Sequence, residues 1–183
     1  MTPWNTHRED WKGCTLCGLC ETRTRVVLYR GKLPCHVLFV GEAPGASEDV
    51  RGVPFDGPAG RLLDDVVRKA LCGSGVKTGF TNLVGCMPPG GGPPESGSIE
   101  ACSPRLQEIY RMAAPVMLVT VGDLAERWVP TMLNLSRVRA VATIAHPAAI
   151  LRADVTRRSL MIRQSVNTVR DVWTACLESI QRG

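Results

Sequence analysis

The stretch HVLFVGEAPGASED, residues 36–49, places a polar, glycine-containing segment directly after a short apolar run. An apolar run of this length that ends at a glycine is typical of a strand buried on both faces of a parallel sheet. Ligands of such sheets bind beyond the carboxyl ends of the strands. The stretch therefore predicts a parallel sheet and also the edge of that sheet where the chemistry takes place.

The rest of the chain continues the same alternation of strands and helices. Further apolar runs predict strands over residues 80–84, 116–121 and 140–145. Apolar side chains at helical spacing predict helices over residues 60–71, 98–112 and 159–180. A shorter helix follows the third strand, with Asp123 as its expected N-cap. This alternation predicts a three-layer α/β/α fold with a central, mainly parallel sheet of four strands.

Length and composition set broader limits on the function. A chain of 183 residues predicts one domain over residues 1–183. We find neither a signal-peptide pattern nor an apolar run of membrane-spanning length, so we expect a cytoplasmic protein with no membrane partner. The net charge of +5 and the pI near 8.9 suit a polyanionic partner without requiring one. Four arginines cluster late in the chain, where they either contact phosphates or form a solvated helix face: Arg152, Arg157, Arg158 and Arg163.

Four of the eight cysteines form two distant pairs, Cys14 with Cys17 and Cys86 with Cys102. Four thiolates at one site hold zinc or a four-iron cluster. A structural zinc site usually closes with a second tight pair, whereas fifteen residues separate Cys86 from Cys102. The spacing therefore favours a [4Fe-4S] cluster that joins two remote loops. Buried thiols without a metal are the alternative, and this is the role that we expect for Cys35, Cys72 and Cys176.

Cys20 leaves the ligand set open. It follows Cys17 at the spacing that separates Cys17 from Cys14, so local spacing does not show which of the three thiols bind iron. Whether or not Cys20 is a ligand, we expect an N-terminal cluster-binding segment over about residues 10–35.

The segment after the first strand, GEAPGASED (residues 41–49), contains glycines but does not match a phosphate-binding loop. It has neither the G-x-G-x-x-G pattern nor a Walker Lys-Ser/Thr. Its three carboxylates, Glu42, Glu48 and Asp49, would repel a phosphate. Carboxylates near a reacting centre instead position a water or stabilise a developing cation.

Three more residues have side chains suited to binding or catalysis, and they lie at strand ends or in turns near the strands. Asn82 belongs to the second strand region and His146 follows the fourth strand, so both are expected at the same edge of the sheet as Glu42. Phe55, in a turn between Pro54 and Gly57, either fills the core or stacks on a flat ring. The structural alternatives are that Asn82 caps a strand end and that His146 anchors its turn.

The motifs GEAPG-x-x-ED, G-x-PF-x-G-x-AG-x-LLD, TN-x-V-x-C-x-PP and HPA-x-x-LR follow one another between Cys14 and Arg152. Together they resemble the uracil-DNA glycosylase superfamily, and within it the family 4 enzymes with a [4Fe-4S] cluster. The resemblance implies that fold, DNA as the partner, and a glycosylase that hydrolyses the N-glycosidic bond of a flipped pyrimidine to leave an abasic site. It also implies Cys14, Cys17, Cys86 and Cys102 as ligands, with Cys20 as a bystander.

The resemblance further implies a role for each matching residue. Phe55 would stack on the flipped base, Asn82 would bond its Watson–Crick edge, and His146 would stabilise negative charge at O2. The catalytic loop would be formed by Glu42, Ala43, Gly45 and Glu48, with Asp49 supporting the two glutamates. The segment from Ala148 would enter the minor groove, with Ile150 or Leu151 as the wedge and Arg152 on a phosphate.

Two departures from the family pattern keep other functions open. Asp56 replaces a usually apolar residue beside the base pocket, and we predict it as a substrate contact whose carboxylate accepts hydrogen bonds from a polar substituent that uracil lacks. Residues 129–145 lack an Arg-Gly segment, and this shortened loop is expected to leave space at the pocket. Uracil remains the default substrate, and the two departures make an antiviral glycosylase that excises glucosylated hydroxymethylcytosine from phage DNA the main alternative. Two further alternatives are an inactive DNA-binding iron–sulfur module and a cluster-based redox protein. We expect a monomer. We also expect no lyase activity, because no lysine occupies a motif position.

Overall fold

The computed structural model describes residues 2–71 and 75–182; Cys72, predicted as a core thiol, lies outside them. The helices are α1 (Pro3–Trp11), α2 (Ala46–Arg51), α3 (Pro58–Ala70), α4 (Ser96–Ala113), α5 (Asp123–Met132), α6 (Pro147–Arg152) and α7 (Val155–Gln181). The strands are β1 (Arg30–Gly31), β2 (Val37–Gly41), β3 (Thr78–Asn82), β4 (Met117–Val121) and β5 (Ala140–Ile144). Short 3₁₀ turns cover Gly18–Cys20, Pro89–Gly91 and Leu135–Arg137.

The five strands of the described ranges form one sheet in the order β1-β3-β2-β4-β5. Strands β2 to β5 run parallel, with Gly41 opposite Asn82 and Val121 opposite Ile144. The predicted parallel sheet of four strands is thus confirmed. The two-residue β1, which pairs antiparallel with β3, is an additional edge strand that the sequence did not predict.

The central strands β2 and β4 are buried along their whole length, because helices cover both faces of the sheet. Alternate residues of β2 point to opposite faces. Val37 and Phe39 belong to a core with α3 and α7, whereas Leu38 and Val40 belong to a second core with α4 and α5. These two cores are the interfaces of a three-layer α/β/α fold.

Local sequence explains where several helices begin. Helix α3 begins at Pro58, whose fixed φ and missing N–H suit the first helical position. Helix α7 begins after Asp154, whose carboxylate accepts the Arg157 N–H at 2.9 Å. The predicted N-cap Asp123 is wrong by one residue: Gly122 precedes the helix with a φ of 95°, and Asp123 is the first helical residue.

The predicted strands agree with the structure to within one residue, except that β3 covers Thr78–Asn82 rather than residues 80–84. Helices α1, α2 and α6 were not predicted, because six to nine residues show too little periodicity. No helix in the described parts of the chain has the length and apolar character needed to cross a membrane.

Candidate active site and cysteine pocket

A cleft of about 280 Å³ lies where β2, β3 and β5 end. The connection from β2 to α2 contributes Glu42, Ala43, Gly45 and Glu48, and the other predicted residues along its wall are Phe55, Asn82, His146 and Arg152. We call it the strand-end cleft. The parallel register brings these residues together, because the carboxyl ends of neighbouring strands meet at one edge of the sheet.

Glu42 lies against the first turn of α5. The backbone N–H of Leu124 hydrogen-bonds its carboxylate, while burial and the nearby Asp123 carboxylate raise its pKa above the ordinary value for glutamate. A Cβ atom on Gly122 would lie 2.6 Å from a Glu42 carboxylate oxygen and 3.1 Å from the His146 Cβ. Only a glycine at position 122 therefore lets these two side chains approach each other.

Glu48 is buried, and both of its carboxylate oxygens accept backbone hydrogen bonds. One accepts the Gly45 N–H at 3.1 Å, and the other accepts the Gly57 N–H at 2.8 Å. Glu48 therefore joins the start of α2 to the turn that carries Phe55. With both oxygens engaged in this way, Glu48 is better suited to holding the cleft in shape than to taking a proton from water.

Asp49 is buried and is not among the residues lining the cleft. Its two carboxylate oxygens accept the Thr24 N–H at 3.0 and 2.9 Å, and one also accepts the Arg25 N–H at 3.4 Å. Asp49 thereby fastens the N-terminal segment to α2. The prediction that Asp49 supports the two catalytic glutamates is corrected, because its carboxylate holds the backbone of Thr24 and Arg25 instead.

Phe55 adopts a left-handed φ of 54°, which is uncommon for a residue with a side chain. Its carbonyl lies so close to Gly60 that a Cβ there would overlap it. The ring is buried and packs edge-on against Phe80 at 6.1 Å between centroids. The strained turn thus fixes an aromatic face at the cleft, at a cost of about 1–3 kcal/mol that the surrounding contacts must offset.

Asn82, at the end of β3, is 2% exposed. A Cβ on Gly41, opposite it in the sheet, would lie 2.5 Å from the Asn82 Oδ1 and 2.5 Å from the Phe55 ring. Gly41 therefore leaves the space in which the amide and the aromatic ring meet at the cleft.

His146 caps α6 with its ring. Its Nδ1 accepts the Ala148 N–H at 3.3 Å, so in the neutral ring the proton is on Nε2. Burial and the Arg152 charge lower the pKa of His146 below the ordinary value for histidine, which favours the neutral imidazole. The arrangement presents a neutral N–H donor at the wall of the cleft.

The three predicted DNA-contacting residues of α6 differ in exposure. Of the two predicted wedge residues, Ile150 is 1% exposed and belongs to the core, whereas Leu151 is half-buried; Arg152 is exposed. The guanidinium of Arg158 donates to the Leu151 carbonyl at 2.6 Å and to the Ala153 carbonyl at 3.2 Å. Of the late arginine cluster, Arg158 thus anchors the end of α6.

The two departures from the family pattern do not open the cleft. The carboxylate of Asp56 forms an ion pair with Arg51 at 2.7 Å and is not part of the cleft wall, so its prediction as a substrate contact is corrected. The short connection between α5 and β5 enters β5 at its amino end. Residues such as Leu133 and Arg137 line a separate cavity there, at the opposite edge of the sheet.

The cleft has further walls that were not predicted as site residues, namely Pro44, Ala59, Gly91, Gly92 and Pro93. The last three belong to the Pro/Gly-rich loop between Cys86 and Cys102. Its composition predicted a loop, but a loop sequence carries no information about which surface it covers.

A second, smaller pocket is lined by residues of the N-terminal segment, of the segment after β3 and of α4. Its wall includes all four predicted ligands, Cys14, Cys17, Cys86 and Cys102, whereas Cys20 is not part of it. We call it the cysteine pocket. Cys35 and Cys176 are buried elsewhere, as expected for core thiols.

Within the described residues, no three Cys, His, Asp or Glu side chains are close enough to hold a single metal ion. An iron–sulfur cluster is not held as a single ion, because its four thiolates bind different irons. The sulfur atoms also have donors around them. Cys102 Sγ accepts the Gly85 N–H at 3.4 Å, and Cys86 Sγ accepts a guanidinium N–H of Arg23 at 3.7 Å. Such donors suit negatively charged sulfur, so the residues fit a [4Fe-4S] cluster.

Comparisons with known proteins agree with this geometry. Residues 29–170 match the family model described as the uracil DNA glycosylase superfamily. A type-4 uracil-DNA glycosylase of Sulfurisphaera tokodaii is 36% identical over 122 residues, which are 67% of this chain and 56% of that protein. A type-4 uracil-DNA glycosylase of Pyrobaculum aerophilum is 32% identical over 167 residues, which are 80% of this chain and 83% of that protein. The chain thus spans little more than half the length of the first relative and most of the second.

A solved structure shares the fold. The crystal structure of wild-type SMUG2 from Pedobacter heparinus superposes with a TM-score of 0.53 at 9% identity, over 81% of this chain and 77% of that one. At this identity the likeness concerns the fold alone.

Proposed function

Since the chain belongs to the uracil-DNA glycosylase superfamily, we propose that it is a monofunctional DNA glycosylase acting on uracil in DNA. It hydrolyses the N-glycosidic bond of a flipped uracil nucleotide and leaves an abasic site. The observation that carries the proposal is one cleft in which an aromatic face, a buried amide, a neutral imidazole N–H and a carboxylate meet, at Phe55, Asn82, His146 and Glu42.

The first part of the mechanism is the seating of the base. A uracil can be reached only after it has left the base stack. The ring then stacks on Phe55, and the Asn82 amide bonds its Watson–Crick edge through an oxygen acceptor and an N–H donor. Leu151 fills the vacated place in the stack, and Arg152 contacts a phosphate. We assign the wedge to Leu151 because Ile150 is buried.

The second part is the cleavage of the bond between N1 and C1′. Its electron pair leaves with the ring, so negative charge grows at O2 and positive charge grows on the sugar. The Nε2–H of His146 donates to O2, and the carboxylate of Glu42 stabilises the sugar cation and takes a proton from the water that adds to C1′. The lowered pKa of His146 favours the neutral ring. The neutral ring carries its one proton on Nε2, which is the position that faces O2 in this mechanism.

We also propose that Cys14, Cys17, Cys86 and Cys102 hold a [4Fe-4S] cluster in the cysteine pocket. The support is the shared pocket and the donors that face the sulfur atoms. When bound, the cluster supplies structural cross-linking between residues 10–35 and the loop that lines the strand-end cleft. We further propose that the protein is a cytoplasmic monomer and that residues 1–183 form one domain.

The test uses purified protein and a duplex with one uracil, with abasic sites detected by alkaline cleavage. We expect release by the wild type, and about a 10²–10³-fold lower rate for His146→Ala, the usual effect of removing one donor to a developing oxyanion. Asn82→Ala should be similarly impaired. His36→Ala is the matched control, because His36 is exposed and precedes β2 at the opposite edge of the sheet.

The outcome also separates the alternatives. Release from glucosylated phage DNA but not from the uracil duplex would favour the antiviral activity. Tight binding of DNA without release of either base would identify an inactive binding module. No lysine lines the described part of the cleft, so we expect no strand cleavage before alkali is added.

A further inference from the structure

Arg105 lies on α4, three residues after Cys102, and is 0% exposed. Its Nε donates to Cys102 Sγ at 3.1 Å. The other end of the guanidinium donates to the Asn82 carbonyl at 2.6 Å and to the Leu83 carbonyl at 3.1 Å. One side chain therefore contacts the cysteine pocket and the end of β3 at the same time.

The surroundings of Arg105 have little to balance its charge. A guanidinium keeps its proton in proteins, and a buried cation needs an anionic partner. Among the described residues, no carboxylate forms an ion pair with Arg105. Of its hydrogen-bond partners, only the Cys102 sulfur can carry negative charge, as it does when it binds iron.

We propose that Arg105 is a positioning residue that couples the iron-bound sulfur of Cys102 to Asn82 and so holds the base-recognising amide in place. Its side chain spans from that sulfur to the backbone of the residue that contacts the base. The fork-shaped guanidinium suits this task, because its donors have a fixed relative geometry. The inference rests on the proposed function, since Asn82 has a base to recognise only in a glycosylase.

The connection has two expected consequences in Arg105→Met, which removes the charge and the donors but keeps much of the volume. Binding of free uracil, measured as product inhibition, should weaken by about tenfold to a hundredfold, the range for losing hydrogen bonds to a charged group. The reduction potential of the cluster should fall, because an N–H donor to a ligand sulfur stabilises the reduced state. The guanidinium also donates to the Thr81 hydroxyl at 3.4 Å. Arg105→Lys should show the same pattern, since an ammonium cannot hold all four acceptors.

The matched control is Arg111→Met, an exposed arginine on the same helix. A merely structural role would lower the melting temperature and the active fraction, yet the active molecules would keep the wild-type inhibition constant for uracil. An inhibition constant of Arg105→Met equal to that of Arg111→Met would overturn the proposal, whatever the melting temperature.

A measurement on the wild type covers the case in which neither variant folds. The Nε–H of Arg105 should give an exchange-protected NMR signal that is shifted by the paramagnetic cluster. If every arginine Nε–H exchanges freely at ordinary shifts, the contact with Cys102 is absent and the proposal fails. Absence of uracil release by the wild type would instead refute the proposed function, while the NMR signal and the potential still test the link to Cys102.

Discussion

Gly122→Ala tests how closely the catalytic side chains are held. The added Cβ would lie 2.6 Å from a Glu42 carboxylate oxygen and 3.1 Å from the His146 Cβ, so one or both side chains must move. Gly122 also has a φ of 95° and a ψ of 160°, a region that is essentially restricted to glycine. The backbone strain alone costs about 1–3 kcal/mol.

Displacement of a reacting group by about 1 Å commonly costs about 10²-fold in rate. We therefore expect the single-turnover rate of uracil release to fall by about that factor. The melting temperature should fall by about 2–4 °C for each kcal/mol of strain.

Gly52→Ala is the control, because it separates strain from displacement. Gly52 has a φ of 74°, and its Cβ would meet only the Arg25 side chain at 3.4 Å, an ordinary contact. We expect lower stability and a near-normal rate. Equal rates for Gly122→Ala and the wild type would refute the assignment of Glu42 and His146 to the reaction, and so would equal losses in the two glycine variants.

Three further predictions concern the acid limb of the rate, the wedge and the cluster. Asp123→Asn should move the acid limb of the pH–rate profile to lower pH, because the Asp123 charge helps to raise the pKa of Glu42, which acts when deprotonated; an unchanged limb would exclude Glu42 as the group that titrates. Ile150→Ala should lower stability by about 2–5 kcal/mol in chemical denaturation. Leu151→Ala should instead slow release from duplex DNA more than release from single-stranded DNA. If Ile150→Ala shows this duplex-specific loss and Leu151→Ala does not, Ile150 is the wedge. Cys20→Ser should keep the iron content and visible absorbance of the wild type, and loss of either would make Cys20 a ligand.

The strand-end cleft was largely predictable from the sequence. Apolar runs identify β2 and β4, and a parallel sheet brings the residues after its strands to one edge. The sequence therefore predicts that Asn82 and His146 belong to one site. The motif order then added the family resemblance, which the family match over residues 29–170 supports.

Side-chain direction within short segments was not predictable. Ile150 and Leu151 are adjacent on a helix of six residues, too short for periodicity to show which one faces the core. Asp56 follows the left-handed Phe55, and only the coordinates show that it turns to Arg51. Arg105 is one of two arginines on the amphipathic helix α4, and a charged residue on such a helix is usually solvated.

The Pro/Gly-rich loop limits how this protein can acquire new substrates. Its middle, Gly91 to Pro93, forms part of the cleft wall. Cys86 precedes the loop and Cys102 follows it on α4, and both line the cysteine pocket. An insertion that enlarges the cleft also lengthens the tether between two thiols. Under the proposed function, selection for another base and retention of the proposed cluster would act on the same residues, so this wall should tolerate substitutions more readily than changes in length.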